Sequence, residues 1–143
     1  MIRKLQKADI NRVADIWLKT NLKAHYFIPE QYWTSNYELV KEMMSQAEVY
    51  VYEDDKMIQG FIGVSDEYIE GIFVSDEMQS RGIGKMLLDY IKDKKDRLQL
   101  KVYQKNVRAM SFYQREGFTI QSESMDEFTG EKEYVMNWEL SGI

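Results

Sequence analysis

Residues 68 to 92 read Y68-I-E-G-I-F-V-S-D-E-M-Q-S-R-G-I-G-K-M-L-L-D-Y-I-K92, and this stretch decides the fold. The apolar run from Ile69 to Val74 predicts a strand, and from Gly82 onward the spacing of Ile83, Leu87, Tyr90 and Ile91 predicts one apolar helix face. Strand, glycine turn and helix start therefore follow one another directly. Gly82 and Gly84 remove the side chains that would hold an anion away from the free backbone N–H groups of a helix start. Arg81 and Lys85 flank the first helical turn, where the helix dipole favours acids, so two cations suit that place best when an anion binds among them. Taken alone, a well-made connection with two solvated cations would read the same way. The dinucleotide pattern G-x-G-x-x-G is absent, because position 87 is Leu, and so is the Walker loop G-x-x-x-x-G-K-[ST].

A second motif lies downstream: Asn106-Val-Arg-Ala109-Met-Ser-Phe112-Tyr113-x-x-x-Gly117-Phe118. With Gln79-x-x-Gly82-x-Gly84 behind a strand ending in Ile-Phe-Val, it resembles the paired signature of the GNAT superfamily of acetyl-CoA-dependent N-acetyltransferases. Two linked motifs are far more specific than one, and the resemblance extends over essentially the whole chain. It implies an α/β fold, with a central mixed, twisted sheet of about seven strands, helices on both faces and a splay between the fourth and fifth strands.

Composition bounds the alternatives. At 143 residues the chain is expected to form a single domain, residues 1 to 143, with a core of ordinary size. It has no cysteine, which removes disulfides, thiolate metal sites and a cysteine nucleophile, and its single histidine argues against a zinc site, so no metal is expected. The net charge of −5 speaks against sequence-independent nucleic-acid binding and suits a cationic acceptor. No run approaches the roughly 18 apolar residues of a membrane span, so a soluble, cytoplasmic protein is expected, as monomer or homodimer.

Along the chain, a short strand over residues 1 to 6 precedes a helix from Asp9 to Leu22, with Ile10, Val13, Ala14, Trp17 and Leu18 at helical spacing and Asp9 as N-cap or first-turn acid. Pro29 suits a first helical turn, leading into a second helix that carries Trp33, Tyr37, Val40 and Met44. Residues 48 to 64 read as an antiparallel hairpin. After the glycine-turn helix come a strand over 98 to 103, a short helix over 106 to 116, and strands over 118 to 123 and 134 to 140. The predicted order is β-α-α-β-β-β-α-β-α-β-β.

The resemblance also assigns site residues. The pantetheine arm of CoA pairs with the strand before the turn, which places it on the backbone of Ile72, Phe73 and Val74. The pyrophosphate falls at Gln79, Arg81, Gly82, Ile83, Gly84 and Lys85, and Asn106 and Ala109 complete the cofactor contacts. Chemically, Asn106 is sufficiently explained as a helix N-cap, and an amide can serve both roles. Gly71, interior to a strand, predicts a bulge that would part the sheet beside the thioester. Arg108 reads equally as a phosphate contact or a solvated cation.

Tyr113 matches the tyrosine assigned as general acid. A free thiol titrates near pKa 8.5 and a free phenol near about 10, so the thiolate is the weaker base and Tyr113 should act chiefly by hydrogen bonding to developing charge on sulfur. Without the family match, a core tyrosine beside Ala109 and Phe112 would explain it as well. A lysine-like acceptor of pKa about 10.4 must lose a proton, and Glu70, four residues before Val74, is the local candidate base, acting through water. With no cysteine, direct attack in a ternary complex is expected, with a backbone N–H at Phe73 or Val74 for the oxyanion.

The stretch H25-Y-F-I-P-E-Q-Y32-W33 resembles a pattern of small bacterial GNAT proteins, some linked to protein-lysine acetylation, and implies an acceptor pocket at His25, Phe27 and Tyr32. Aromatic rings could hold a cation there, or simply pack as core. Asp126, Glu127 and Glu131 of the late loop are further candidates for the same cleft. The expected activity is transfer from acetyl-CoA to a small amine or a peptide or protein lysine. The alternatives are a non-catalytic CoA-binding sensor or scaffold of the same fold, or an interaction module without a cofactor.

Overall fold

The structure is a computed structural model and describes residues 1 to 140. Seven strands form one sheet: β1 (Ile2–Lys4), β2 (Glu48–Asp54), β3 (Met57–Ser65), β4 (Tyr68–Val74), β5 (Arg97–Tyr103), β6 (Thr119–Met125) and β7 (Lys132–Glu139). Five α-helices accompany them: α1 (Ile10–Ala24), α2 (Glu30–Ser35), α3 (Tyr37–Gln46), α4 (Ile83–Lys92) and α5 (Val107–Arg115), with short 3-10 turns at Lys7–Asp9 and Asp76–Met78. Strand order is β1-β2-β3-β4-β5-β7-β6, antiparallel throughout except for the parallel pair β4–β5.

Alternation along the strands builds two cores. Val49 and Val51 of β2 and Phe61 of β3 face α1 and α3, packing against Val13, Ile16 and Met44. Their neighbours Tyr50 and Ile62 point the other way, onto Ile83, Leu87, Leu88 and Ile91 of α4. Beyond β4, Leu98, Leu100 and Val102 of β5 and Met136 of β7 extend this second core to Tyr113 of α5 and to Phe118. Their odd-numbered neighbours on β5 therefore lie on the opposite face.

The β4–β5 junction is the exception to regular pairing. Tyr68 opposite Gln99 is its one ladder pair, supported by the Gln99 N–H donating to the Glu67 carbonyl at 2.8 Å. Past that point the strands part, as the bulge at Gly71 predicted: the β3–β4 register slips between Gly63/Gly71 and Val64/Ile69, which leaves Glu70 as the extra residue. A Cβ on Gly71 would lie 2.5 Å from the Phe73 ring, so glycine is what lets that ring fold back over the strand and stack on Phe61.

Three local expectations are corrected. The predicted second helix is two helices, broken at Asn36, whose side-chain N–H donates to the Tyr32 carbonyl at 2.6 Å in competition with the helical backbone pattern. Pro29 lies just outside α2, with ψ at 136°, rather than in its first turn. Asp9 precedes α1 without capping it by its side chain; its carboxylate instead takes the Gln6 N–H and both terminal nitrogens of Arg3. No helix among the described residues is long and apolar enough to cross a membrane. No group of His, Cys, Asp or Glu among them is arranged to hold a metal ion.

Candidate active site

A cavity of about 500 Å³ opens where the strands part, bounded by the end of α1, the last residues of β4, the start of α4 and the inner side of α5. Ile72, Phe73, Val74, Gln79, Gly82, Ile83, Gly84, Lys85, Asn106, Ala109 and Tyr113 all line it, and so does His25. The structure thus brings together two motifs that are well separated in sequence. A hollow of about 540 Å³ beside β1, lined by Lys4, Leu5, Gln6, Ile10 and Met44 among others, contains none of these residues.

The α4 end of the cavity is built from backbone. Gly82 takes φ of +83° and precedes a helix with no side-chain cap, so the first amides of α4 keep free donors. A Cβ at Gly82 would meet nothing, which leaves the approach to those amides open. The loop before it is held from several sides. Gln79 donates to the Val74 carbonyl at 3.0 Å and accepts from Arg108 at 2.9 Å, while Arg108 also donates to Ser80 Oγ at 3.1 Å. Arg108 therefore has a structural occupation on this loop. Lys85 is paired with Asp89 at 3.2 Å and Glu116 at 3.1 Å, so the chain supplies acids for one of its two conspicuous cations. Arg81 is exposed and lies outside the cavity wall.

The inner end is built from side chains. Asn106 caps α5, accepting the Ala109 N–H at 3.2 Å, and its amide nitrogen lies 3.0 Å from His25 Nε2. Tyr113 is buried, with Phe112 and Phe118 at its edges. Burial, and secondarily the nearby Tyr68 phenol, raises its pKa well above the ordinary phenol range.

On the opposite face of the sheet, Tyr103 carries the ring cluster that His25 enters: His25 lies 4.9 Å from Tyr103, 5.4 Å from Trp33 and 5.7 Å from Phe27, and Tyr32 packs on Trp33 at 4.8 Å. The expected acceptor residues thus gather into one cluster, although of the three only His25 reaches the cavity wall. Asp126 accepts a 2.6 Å bond from the Tyr103 hydroxyl, and Lys105 is paired with Glu131 at 3.1 Å. Glu127 is exposed. Glu70 also points to solvent, accepting from Ser65 Oγ at 3.1 Å, and is not part of the cavity lining.

Tyr68 and Glu133, neither of which lines the cavity, are two further titratable groups that the sequence did not mark. Glu133 pairs with Tyr103 across β5–β7; burial, then the Asp126 charge, raises its carboxyl pKa. Burial pushes the Tyr68 phenol up to about 12, with Glu70 and Glu133 adding to the shift. No local motif marks these two, because what surrounds each depends on which strands become neighbours.

The cavity's own features fit acetyl-CoA. Uncapped amides at a glycine turn suit a pyrophosphate, and the edge of β4 left without a strand partner suits the amides of an extended arm. Residues 23 to 140 match the family model described as "Acetyltransferase (GNAT) domain". The chain is 32% identical over 140 residues to the peptidyl-lysine N-acetyltransferase YiaC of Escherichia coli strain K12, covering 96% of each. It superposes on the solution structure of apo-form YjaB from Escherichia coli with a TM-score of 0.87 at 20% identity, over 99% of this chain and 98% of that one. A Bacillus anthracis structure in complex with acetyl coenzyme A superposes at 0.61 with 23% identity, over 66% of this chain and 63% of that one. The glycine-turn cavity, the parted strands and a family match over most of its length place this chain in the GNAT family of acetyl-CoA-dependent acetyltransferases.

Proposed function

We propose that the chain acetylates the ε-amine of lysine in a peptide or protein, by direct attack with both substrates bound. The observation that carries this reading is the parted β4–β5 junction. Beside it lies the cavity lined by Tyr113 and Asn106, and His25 of the same wall packs at 4.9 Å on Tyr103 of the ring-and-carboxylate cluster on the other face. The likeness to YiaC, a peptidyl-lysine N-acetyltransferase, supports the acceptor class.

Acetyl-CoA supplies an activated thioester; the chain's residues bind, orient and manage protons. The amides that begin α4 hold the pyrophosphate, with Lys85 adding charge close by. The backbone of Ile72, Phe73 and Val74 aligns the arm, and Asn106 offers it an amide hydrogen. Tyr113 stays protonated and donates a hydrogen bond at the sulfur. Its burial raises the phenol pKa, but the same loss of solvent disfavours a thiolate and raises its basicity too, so donation to sulfur remains matched.

On the acceptor face, tyrosines 32, 68 and 103 surround the lysine stem, and Asp126 and Glu133 favour its cation on arrival. Glu133, with its raised carboxyl pKa, is the better-matched proton acceptor, while Glu70 reaches the amine only through solvent. An assay of thiol release over lysine peptides and small amines tests this directly. Acetylated peptide identified by mass spectrometry is the expected result. Turnover confined to small amines would remove the peptide acceptor, and acetyl-CoA binding without turnover on any amine would favour the sensor reading.

A further inference from the structure

His25 is the chain's only histidine and lines the cavity, yet neither ring nitrogen is free. Its Nδ1 lies 2.9 Å from Asn21 Oδ1 and its Nε2 lies 3.0 Å from Asn106 Nδ2. The two amides determine which way each bond runs. Asn21 spends its nitrogen on the Trp17 carbonyl at 2.8 Å, so its oxygen must accept, and His25 Nδ1 must carry the hydrogen. Asn106 spends its oxygen on the Ala109 N–H at 3.2 Å, so its nitrogen must donate, and Nε2 must be bare. The ring is thereby held as the Nδ1–H tautomer, wedged between Trp33, Tyr103 and Phe27. Desolvation agrees, lowering its pKa to about 4. Such a ring is no proton acceptor for the amine, because protonating Nε2 would set one N–H against another.

We propose that His25 is a positioning residue, which by accepting one hydrogen of the Asn106 amide turns the other toward the cavity and so links the acceptor loop to the grip on the cofactor arm. No described residue takes that second hydrogen. Asn21 anchors the ring to α1, and Asn106 hands its orientation to the first turn of α5. The link runs from Trp17 through Asn21, His25 and Asn106 to Ala109, and joins segments 81 residues apart at its long step. This rests on the cavity being the acetyl-CoA site, whereas the tautomer does not.

The first test is ¹⁵N NMR of the free protein at neutral pH, where a single histidine makes the signal unambiguous. A pure Nδ1–H form is expected, and a mixed or Nε2–H form overturns the link whatever the chain binds. The second is a double-mutant cycle on acetyl-CoA affinity. His25→Phe keeps the ring contacts but loses both bonds, and should weaken binding about tenfold, as should Asn106→Ala. His25→Gln, able to supply one donor and one acceptor, should recover most of the loss. The double variant should be no weaker than Asn106→Ala alone, and additive losses would overturn the proposal. Absence of wild-type binding would instead sink the cofactor assignment while leaving the NMR result standing.

Discussion

The two mouths proposed for the parted sheet, one for the cosubstrate and one for the acceptor, are made in different ways. The cofactor mouth is largely one continuous stretch, β4 through the first turn of α4, and its donors are backbone amides exposed by glycine and by the lack of a cap. The proposed acceptor mouth is assembled from residues 25 to 33, Tyr68, Tyr103, Asp126 and Glu133, and its candidate groups are side chains. A backbone device tolerates drift in its neighbours but not in its glycines, whereas a side-chain device can be re-cut at many places without disturbing the fold. This difference suits a family in which the cosubstrate is common and acceptors vary.

Variants can break or sharpen this contrast. The largest effect is expected where the mouths meet. Tyr113→Phe should lower kcat by about 100-fold with the KM for acetyl-CoA nearly unchanged, and steady-state kinetics showing unaltered turnover would deny the hydroxyl its role. On the cofactor side, Gly82→Asp should weaken acetyl-CoA binding about 10- to 100-fold by calorimetry, since it combines a strained φ with like charge toward a pyrophosphate. Gly82→Ala should share only the strain, costing about 1 kcal/mol of stability.

On the acceptor side, Glu133→Gln should remove the acidic limb of the kcat/KM profile, which should lie above the ordinary carboxyl range because burial raises that group, while acetyl-CoA affinity stays constant. Glu70→Gln made in parallel should leave the limb in place, and the reverse outcome would move the base to β4.

The smallest effect belongs to pH and stability. His25 has a folded pKa of about 4 against 6.5 unfolded, so the unfolded chain takes up its proton first. Its contribution is whole above pH 6.5 and is lost as pH falls from there toward 4. Denaturation midpoints for wild type and His25→Gln should therefore converge on acidification.

The same contrast explains what was legible from sequence. Gly82, Gly84 and Asn106 could be read because what they do is local: a positive φ, an open helix start, an N-cap three residues before the amide it satisfies. The splay was legible through Gly71 for the same reason. Glu133 and Tyr68 were not, since a glutamate or tyrosine on a strand reads identically on either face until the neighbouring strands are known. His25 stood out as the lone histidine, but its partner is 81 residues away, and no spacing rule could show that its nitrogens would be consumed by amides rather than offered to a substrate. Asn36 broke a helix whose apolar period continued across it, because a side-chain amide competed locally for a backbone carbonyl.

The lone rung between Tyr68 and Gln99 has a mechanical consequence. Edge to edge, the two half-sheets share a single ladder pair, and what ties them across the gap is the core in which Ile62 and Ile69 meet α4, Leu98, Leu100 and Tyr113. An extended molecule lodged in the crevice would act as the missing mortar, so the same arm that delivers the acyl group would also stiffen the frame around it and restrict the reaction to a fully built enclosure.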